Sequence, residues 1–503
     1  MVSKVLVANR GEIACRILRA CREAGLDSVA IYADNDAKSL FVELADQAIL
    51  LQGDSIATTY LNQEQILEIA TTTGADAIHP GFGFLSERAD FARAVTQAGL
   101  QWIGPSPSAI ERMGDKMTAR KTMRNAGVPV IPGEEIEEED EQEALIAIQQ
   151  ASTRVGYPLL LKASSGGGGK GMRAVERPED LVEAAQSARR EALAAFGDGR
   201  VYLERMLTGS KHVEIQVLAD RHGRTIHLGE RECSVQRRHQ KVFEEAPCAT
   251  MSEDIRSAMG KAAVAAAMAV NYEGAGTVEF LLAPSGEFFF LEMNTRIQVE
   301  HPVTELVTGV DIVREQLRIA AGEPMSCGEL HLRGHAIEVR LYAEDASNNF
   351  LPAIGPLAVF QPPEGPGIRL DTGVRQGDEV TPNYDPMLAK LIVWAPSRVE
   401  ALQRMRRALD EFVVLGTTTN LRFLRELCDV PDVIEGVTDT TMIDRLWPDG
   451  WSASIPVEIE DGALMAAAVS ESSGLHHQIH SNAQVNDQSG PMSPFMTLNR
   501  RYP

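Results

Sequence analysis

Thr277-Val278-Glu279-Phe280-Leu281-Leu282 and Phe288-Phe289-Phe290-Leu291-Glu292-Met293-Asn294 flank the turn residues Pro284-Ser285-Gly286-Glu287. Two apolar, aromatic-rich runs around a Pro/Gly cluster read as a β-hairpin. A four-residue loop sets Ala283 opposite Phe288, and the same register sets Glu279 opposite Glu292. Like charges directly opposed destabilise a sheet, so the pair calls for a ligand. Asn294 falls two residues beyond Glu292 on the same strand face. Two carboxylates and an amide oxygen form a hard-oxygen site suited to Mg²⁺ or Mn²⁺, with phosphate oxygens and waters completing it. The alternative, solvated glutamates on an edge hairpin, leaves their opposition without a purpose.

The residues that follow, Thr295-Arg296-Ile297-Gln298-Val299-Glu300-His301-Pro302, continue the site. Pro302 fits the first turn of a helix ending near Gly309. Arg296 offers a fork to a planar anion, and Glu300 lies where a general base could reach that anion. His301 stands open between a structural contact and a functional one. Upstream, Tyr157-Pro158-Leu159-Leu160-Leu161-Lys162-Ala163 reads as a buried strand, and Ser164-Ser165-Gly166-Gly167-Gly168-Gly169-Lys170-Gly171-Met172-Arg173 follows it. Consecutive glycines let backbone N–H groups turn toward an anion, as a phosphate cradle requires. No G-K-[ST] opens a helix here, so this is not a Walker loop; Val175 marks a return strand instead. With Lys162, Lys170 and Arg173 around the glycines, a polyphosphate clamp over a hairpin is a better reading than a floppy turn.

The first third alternates strand-like runs (Val5–Ala8, Val29–Ala33, Ala75–Ile78, Gln101–Ile103) with helical spacing at Ile13, Ile17, Leu18 and Cys21. That alternation predicts an open parallel sheet. A dehydrogenase is excluded because the first turn, Asn9-Arg10-Gly11-Glu12, has one glycine where the dinucleotide fingerprint needs three. The acidic run Glu134–Glu143 reads as a solvated surface segment leading into a helix. From Trp447 onward the chain turns polar and weakly periodic and reads as a peripheral or partly disordered tail.

The 503 residues carry 48 Lys+Arg against 71 Asp+Glu, a formal net charge of −23. Such a balance excludes duplex nucleic acid or an anionic membrane as the main partner. Hydrophobic residues at 44% and charged residues at 24% exclude wholesale disorder, and the length predicts about three domains. Cys15, Cys21, Cys233, Cys248, Cys327 and Cys428 show no zinc or redox spacing and read as free thiols of a reducing compartment. The N-terminus lacks a secretory apolar core, and the longest apolar run, Ala262–Val270, falls far short of a membrane span. These features point to a soluble cytoplasmic protein.

Glu292 to Pro302 resembles the signature of the biotin carboxylases, a branch of the ATP-grasp superfamily. The resemblance extends over Ala8–Ala14, His79–Glu87, Gly114-Asp115-Lys116, His212–Val217, Glu230–Lys241, Gly334–Arg340 and Tyr384–Met387, covering about Val2 to Asp444. It implies an α/β and α+β chain with four parts. These are a parallel α/β (pre-ATP-grasp) domain at 1–113, an ATP-grasp domain at 114–330 with a mobile glycine-rich lid at about 131–203, a mixed α+β C-terminal domain at 331–446, and a polar tail at 447–503. By the same resemblance Lys116, Lys162, Glu204, Leu207, His212, Gln236, His239 and Glu279 contact ATP, with Gly168 and Gly169 over the phosphates. Glu279 and Glu292, joined by Asn294, hold the metal. Lys241, Arg296, Gln298 and the Val299 backbone hold bicarbonate, Glu300 deprotonates it, and Arg340 faces biotin and the anion. The implied reaction is ATP-dependent carboxylation of biotin through carboxyphosphate, the first half-reaction of a biotin-dependent acyl-CoA carboxylase, as in fatty acid biosynthesis. The rival is another ATP-grasp ligase activating a different carboxylate, such as a carbamoyl-phosphate-synthetase-like half.

Two departures stand out: Ser165 where many relatives have glycine, and Phe82 where tyrosine is common, which removes a hydroxyl contact. No Met-Lys-Met occurs, and no lysine follows Lys390, so biotin is expected on a carrier protein or domain outside this sequence. A carboxyltransferase subunit and a homodimer complete the partners that the resemblance implies. Ser493-Pro494-Phe495-Met496 and Asn499-Arg500-Arg501 look like segments that lead toward further domains in fused carboxylases.

Overall fold

The computed structural model describes residues 2–136, 138, 140–163, 172–197, 199–238, 240–328 and 331–453. Ser165, Gly168, Gly169, Lys170, His239 and the tail beyond 453 lie outside the described residues. Contacts divide the chain into Met1–Trp451 and Ser452–Pro503, and only Ser452 and Ala453 of the second unit are described. Among the described residues no helix is long and apolar enough to cross a membrane. All six cysteines are free and buried.

The N-terminal sheet runs Gln47–Leu50, Asp27–Tyr32, Lys4–Val7, Ala77–His79, Gln101–Trp102, every pairing parallel. The apolar residues predicted on one helix face (Ile13, Ile17, Leu18, Cys21) are buried under this sheet on the helix Gly11–Glu23. Strand order reverses between Lys4–Val7 and Ala77–His79, where a crevice opens beyond the carboxyl ends. Asn9 fills that crevice: its Nδ2 donates to the carbonyls of Pro80 and Phe82, both at 2.7 Å. Gly81 sits at φ +65°, where a Cβ would meet Asn9 Nδ2 at 2.9 Å, whereas Gly74 at φ +68° faces open space. Gly81→Ala and Gly74→Ala therefore share a handedness cost of about 1–2 kcal/mol, and only the first also displaces Asn9. The urea midpoint is expected to fall further for Gly81→Ala; equal shifts would show that Asn9 does not hold the turn.

A second sheet carries the site. Its eight strands run Phe288–Asn294, Gly274–Leu282, Lys211–Ala219, Thr225–Arg237, Gln240–Ala246, His335–Tyr342, Met387–Ala395, Ile368–Thr372, each neighbouring pair antiparallel. Because Gln240–Ala246 pairs with His335–Tyr342, hydrogen bonding runs unbroken across the boundary expected at 330/331. A four-stranded sheet, Gly133–Ile136, Val201–Arg205, Leu159–Ala163, Arg173–Val175, packs its apolar face under the helices Glu141–Val155 and Leu181–Phe196. The acidic run leads into a helix as expected, but by way of a strand: Glu134 and Glu135 belong to a paired strand, and Asp140 then caps the helix, accepting from the Gln142 and Glu143 N–H groups.

The hairpin register needs a correction too. Leu282, not Ala283, opposes Phe288, and Phe280 opposes Phe290. Ala283 N–H donates to the Glu287 carbonyl at 2.8 Å, so the turn is one residue tighter than expected. An irregularity between Glu279 and Phe280 leaves Leu291 as the extra residue, and beyond it Glu279 faces Glu292 as predicted. The helix His301–Thr308 starts with Pro302 in its first turn and ends at Gly309 (φ 72°).

Candidate active site

The ladders place Glu292, Glu279, Glu214 and Arg231 directly opposite one another on four successive strands. Residues so paired share a face, so three carboxylates stand in one transverse row closed by a guanidinium. From the next strand Lys241 reaches back into the row. Its Nζ donates to Glu214 Oε2 at 2.6 Å, Glu279 Oε1 at 3.0 Å and Glu300 Oε1 at 2.6 Å. Arg340 closes on Glu300 from the other side, Nη2 to Oε2 at 3.0 Å, while its Nε donates to Glu244 at 2.6 Å. Glu300 is thus held between two cations in the protein interior.

The electrostatics follow from that bracket. Burial alone would raise the Glu300 carboxyl, yet Lys241, Arg340 and Arg231 hold it well below the usual carboxylate range. Glu279 is likewise lowered against burial, by Lys241 and then His212, whose Nε2 lies 3.1 Å from Glu279 Oε2. Burial would lower Lys241, but Glu214, Glu279 and Glu300 raise it well above the ordinary lysine value. At the outer end of the row Glu292 is raised, by burial first and Glu279 second, although its side chain reaches solvent through the cleft, which tempers the first cause.

Glu279 Oε1 also accepts from Asn294 Nδ2 at 2.8 Å and Gln298 Nε2 at 2.7 Å. Asn294 therefore turns its amide nitrogen toward Glu279 and its oxygen toward Arg296 Nη2 (2.8 Å), the reverse of the expected oxygen donation. A carboxylate draws donors, which accounts for the orientation. Glu292 accepts no hydrogen bond from the described residues, so an acid opposed to an acid is left for a cation to neutralise. Hard oxygens from Glu279 and Glu292 fit Mg²⁺ or Mn²⁺ on that ground. Lys116, Glu292, Asn294 and Glu87 line a cavity of about 200 Å³ beside the row.

Three family models match along the chain: Biotin carboxylase, N-terminal domain, over residues 1–110; Carbamoyl-phosphate synthase L chain, ATP binding domain, over 115–327; and Biotin carboxylase C-terminal domain, over 338–445. The biotin carboxylase of Nostoc sp. (strain PCC 7120) is 48% identical over 445 residues, covering 88% of this chain and 99% of that protein. The chain belongs to the biotin carboxylase family. The mitochondrial methylcrotonoyl-CoA carboxylase subunit alpha of Dictyostelium discoideum is 49% identical over 500 residues, 99% of this chain but 70% of that relative's length. Among solved structures, the biotin carboxylase domain dimer of Hydrogenobacter thermophilus 2-oxoglutarate carboxylase, in complex with MgADP, ADP and bicarbonate, superposes with a TM-score of 0.84 at 44% identity, covering 90% of this chain and all of that one. The middle family model is shared with carbamoyl-phosphate synthases; the two flanking models separate the biotin carboxylases from them.

The remaining residues expected in a biotin carboxylase site lie around this row. Gln236 Nε2 meets His212 Nδ1 at 3.0 Å, which joins both to the row through Glu279. Gln298 links Glu279 to Arg231 (Nη2 to Oε1, 2.7 Å), and the Val299 carbonyl accepts from Lys390 at 2.8 Å. Lys162 and Glu204, expected along the nucleotide, are in contact with each other, and Arg120 closes on Glu204 as well. Burial, then Lys116 and Arg120, pulls the Lys162 ammonium down to about 8, against the opposing pull of the Glu292 carboxylate. Leu207 follows the strand Val201–Arg205 and is half-buried. Arg296 is committed to Glu87, Nε to Oε2 at 3.1 Å. Arg173 Nη2 donates to Glu191 at 2.9 Å on the covering helix, and the glycines it was expected to flank lie outside the described residues. His301 is fully buried, with Nδ1 on the Gln298 carbonyl at 2.7 Å, and burial pushes its imidazole well below the usual histidine range.

Sequence reasoning missed Glu214, Arg231, Glu244 and Glu87. The signal for Glu214 was its alternation with His212 on one strand face. Arg231, wholly buried, donates to Glu214, Gln216, Thr304, Thr277 and Gln298, tying the sheet to the loop and helix that carry Glu300. Arg231→Met would leave Glu214 buried with one cation fewer, costing about 3–5 kcal/mol. Urea titration is expected to show that loss; a shift no larger than a surface substitution gives would mean that the network contributes nothing.

Proposed function

We propose that this chain catalyses the ATP-dependent carboxylation of biotin by bicarbonate, and that the bracket of Lys241 and Arg340 on Glu300 is the catalytic centre. Bicarbonate is a poor nucleophile until deprotonated, so it needs a carboxylate beside cationic anchors. Arg296 exchanges Glu87 for the anion, Lys241 and the Gln298–Val299 backbone hold it, and Glu300 takes its proton. Once Lys241 and Arg340 turn part of their charge to the bound anion, Glu300 is less stabilised as a carboxylate and its basicity rises. The deprotonated oxygen attacks the γ-phosphoryl group, ADP leaves, and carboxyphosphate forms. Lys116, Lys162, His212, Gln236, His239 and the glycine loop with Gly168 and Gly169 contact the nucleotide, with Glu204 and Leu207 along the adenine. Glu279 and Glu292 would hold Mg²⁺ or Mn²⁺, joined by Asn294 once its amide turns its oxygen inward, and the ion would supply charge neutralisation to the phosphates. Decomposition releases CO₂ beside biotin, phosphate takes the ureido proton, and Arg340 stabilises the biotin enolate.

The biotin comes from a carrier protein or domain, a carboxyltransferase completes the reaction on an acyl-CoA or keto acid, and the working unit is a cytoplasmic homodimer. The 2-oxoglutarate carboxylase domain, named as a dimer with bicarbonate and MgADP, supports that reading. Biotin-dependent ADP release in the presence of bicarbonate tests it. Turnover of a different acid without a need for biotin would favour the carbamoyl-phosphate-synthetase-like rival.

A further inference from the structure

Beneath Arg340 lies another pair of acids, which the proposed chemistry leaves unused. Glu338 on the strand His335–Tyr342 pairs directly with Glu244 on Gln240–Ala246, so their side chains face each other across the ladder. Both are fully buried. Glu244 Oε1 accepts from Arg340 Nε, but its Oε2 has no hydrogen-bond partner among the described residues, and neither oxygen of Glu338 has one. An ionised carboxylate with no donor is the costliest state that such a site could hold.

The surrounding charges are spent elsewhere. Lys390, opposite Arg340 on Met387–Ala395, gives its Nζ to the Val299 carbonyl at 2.8 Å and lies 3.2 Å from Glu12 and 3.8 Å from Asp371. Glu300 occupies the far side of Arg340, and Lys241 occupies Glu300. On the covering helix His301 is neutral, and Glu305 is paired with Arg16 and Arg369. On the opposite sheet face His335 and Arg398 close on Glu245.

We propose that Glu338 is a positioning residue that stays a neutral carboxylic acid in the working enzyme, sharing one proton with Glu244 across the ladder. Arg340 then meets a single negative charge on that side and keeps Nη2 for Glu300 and the substrate anion. Were both acids ionised, two charges would draw the guanidinium away from Glu300. Burial raises Glu338 well above the carboxylate range; Lys390 opposes this and Glu244 reinforces it. The inference rests on the roles given above to Arg340 and Glu300.

Infrared spectroscopy of the whole chain reads the proton without turnover, so its outcome is independent of whether biotin is carboxylated. The wild-type protein is expected to show a deuterium-sensitive carbonyl band of a protonated carboxyl at neutral pH that Glu338→Gln removes; identical spectra would overturn the proposal. Glu244→Gln removes the neighbouring like charge and should lower the midpoint of that band by about one pH unit or more. An unmoved midpoint would overturn the sharing, and this variant decides the matter if Glu338→Gln does not fold. In turnover, ionisation of Glu338 at alkaline pH should reduce kcat and leave the KM for ATP alone. Glu338→Gln, which cannot ionise, should carry the alkaline limb of kcat upward by about one pH unit; a limb that stays in place contradicts the positioning role.

Discussion

Glu300→Gln is expected to give a folded, ATP-binding protein whose biotin-dependent ADP release falls about 10²–10⁴-fold, the usual contribution of a general base. The fold survives because each neighbour keeps another partner. Lys241 retains Glu214 and Glu279, and Arg340 retains Glu244. What disappears is the one group between those cations that can accept a proton from bicarbonate. The amide keeps the shape and loses the base, so kcat should drop while the KM for ATP holds. Rates near wild type would remove Glu300 from the mechanism.

Lys241→Met should have the largest combined effect, because one ammonium serves three buried carboxylates. Loss of a buried partner leaves charge uncompensated, at about 3–5 kcal/mol, and it also removes an anchor for the anion. The sign of the pH dependence is fixed by the depressed acids. Glu279 and Glu300 lie below their unfolded values, so their contribution is present above about pH 4 and is lost as pH falls through their folded values. Without Lys241 both acids rise toward ordinary values and that contribution shrinks. The stability gap between variant and wild type, measured by urea midpoint, is therefore expected to be widest at neutral pH and to narrow on acidification. A gap that widens in acid would show that Lys241 does not carry these charges.

What the sequence revealed and what it hid follow from the range of the interactions. The opposition of Glu279 and Glu292 was legible because a hairpin is local and its register follows from the turn. The tighter turn and the bulge at Leu291 were not, and their effects cancelled before the acid pair. Glu214 and Arg231 stayed hidden because their place in the row depends on which distant strands become neighbours, and no local periodicity states that Lys211–Ala219 lies between Thr225–Arg237 and Gly274–Leu282. Lys241, Arg340 and Gln298 entered through the family resemblance alone; geometry then brought Lys241 and Arg340 onto Glu300. Glu191, which the covering helix supplies to Arg173, was hidden as well, because no local pattern announces a partner on a distant helix.

The most direct test of the central claim is the fate of bicarbonate oxygen. With ¹⁸O-labelled bicarbonate, ATP, Mg²⁺ and biotin, the account predicts that an oxygen from bicarbonate appears in the phosphate released with ADP, because the oxygen freed by Glu300 is the one that attacks phosphorus. Unlabelled phosphate, or ADP release that needs no bicarbonate, would contradict it.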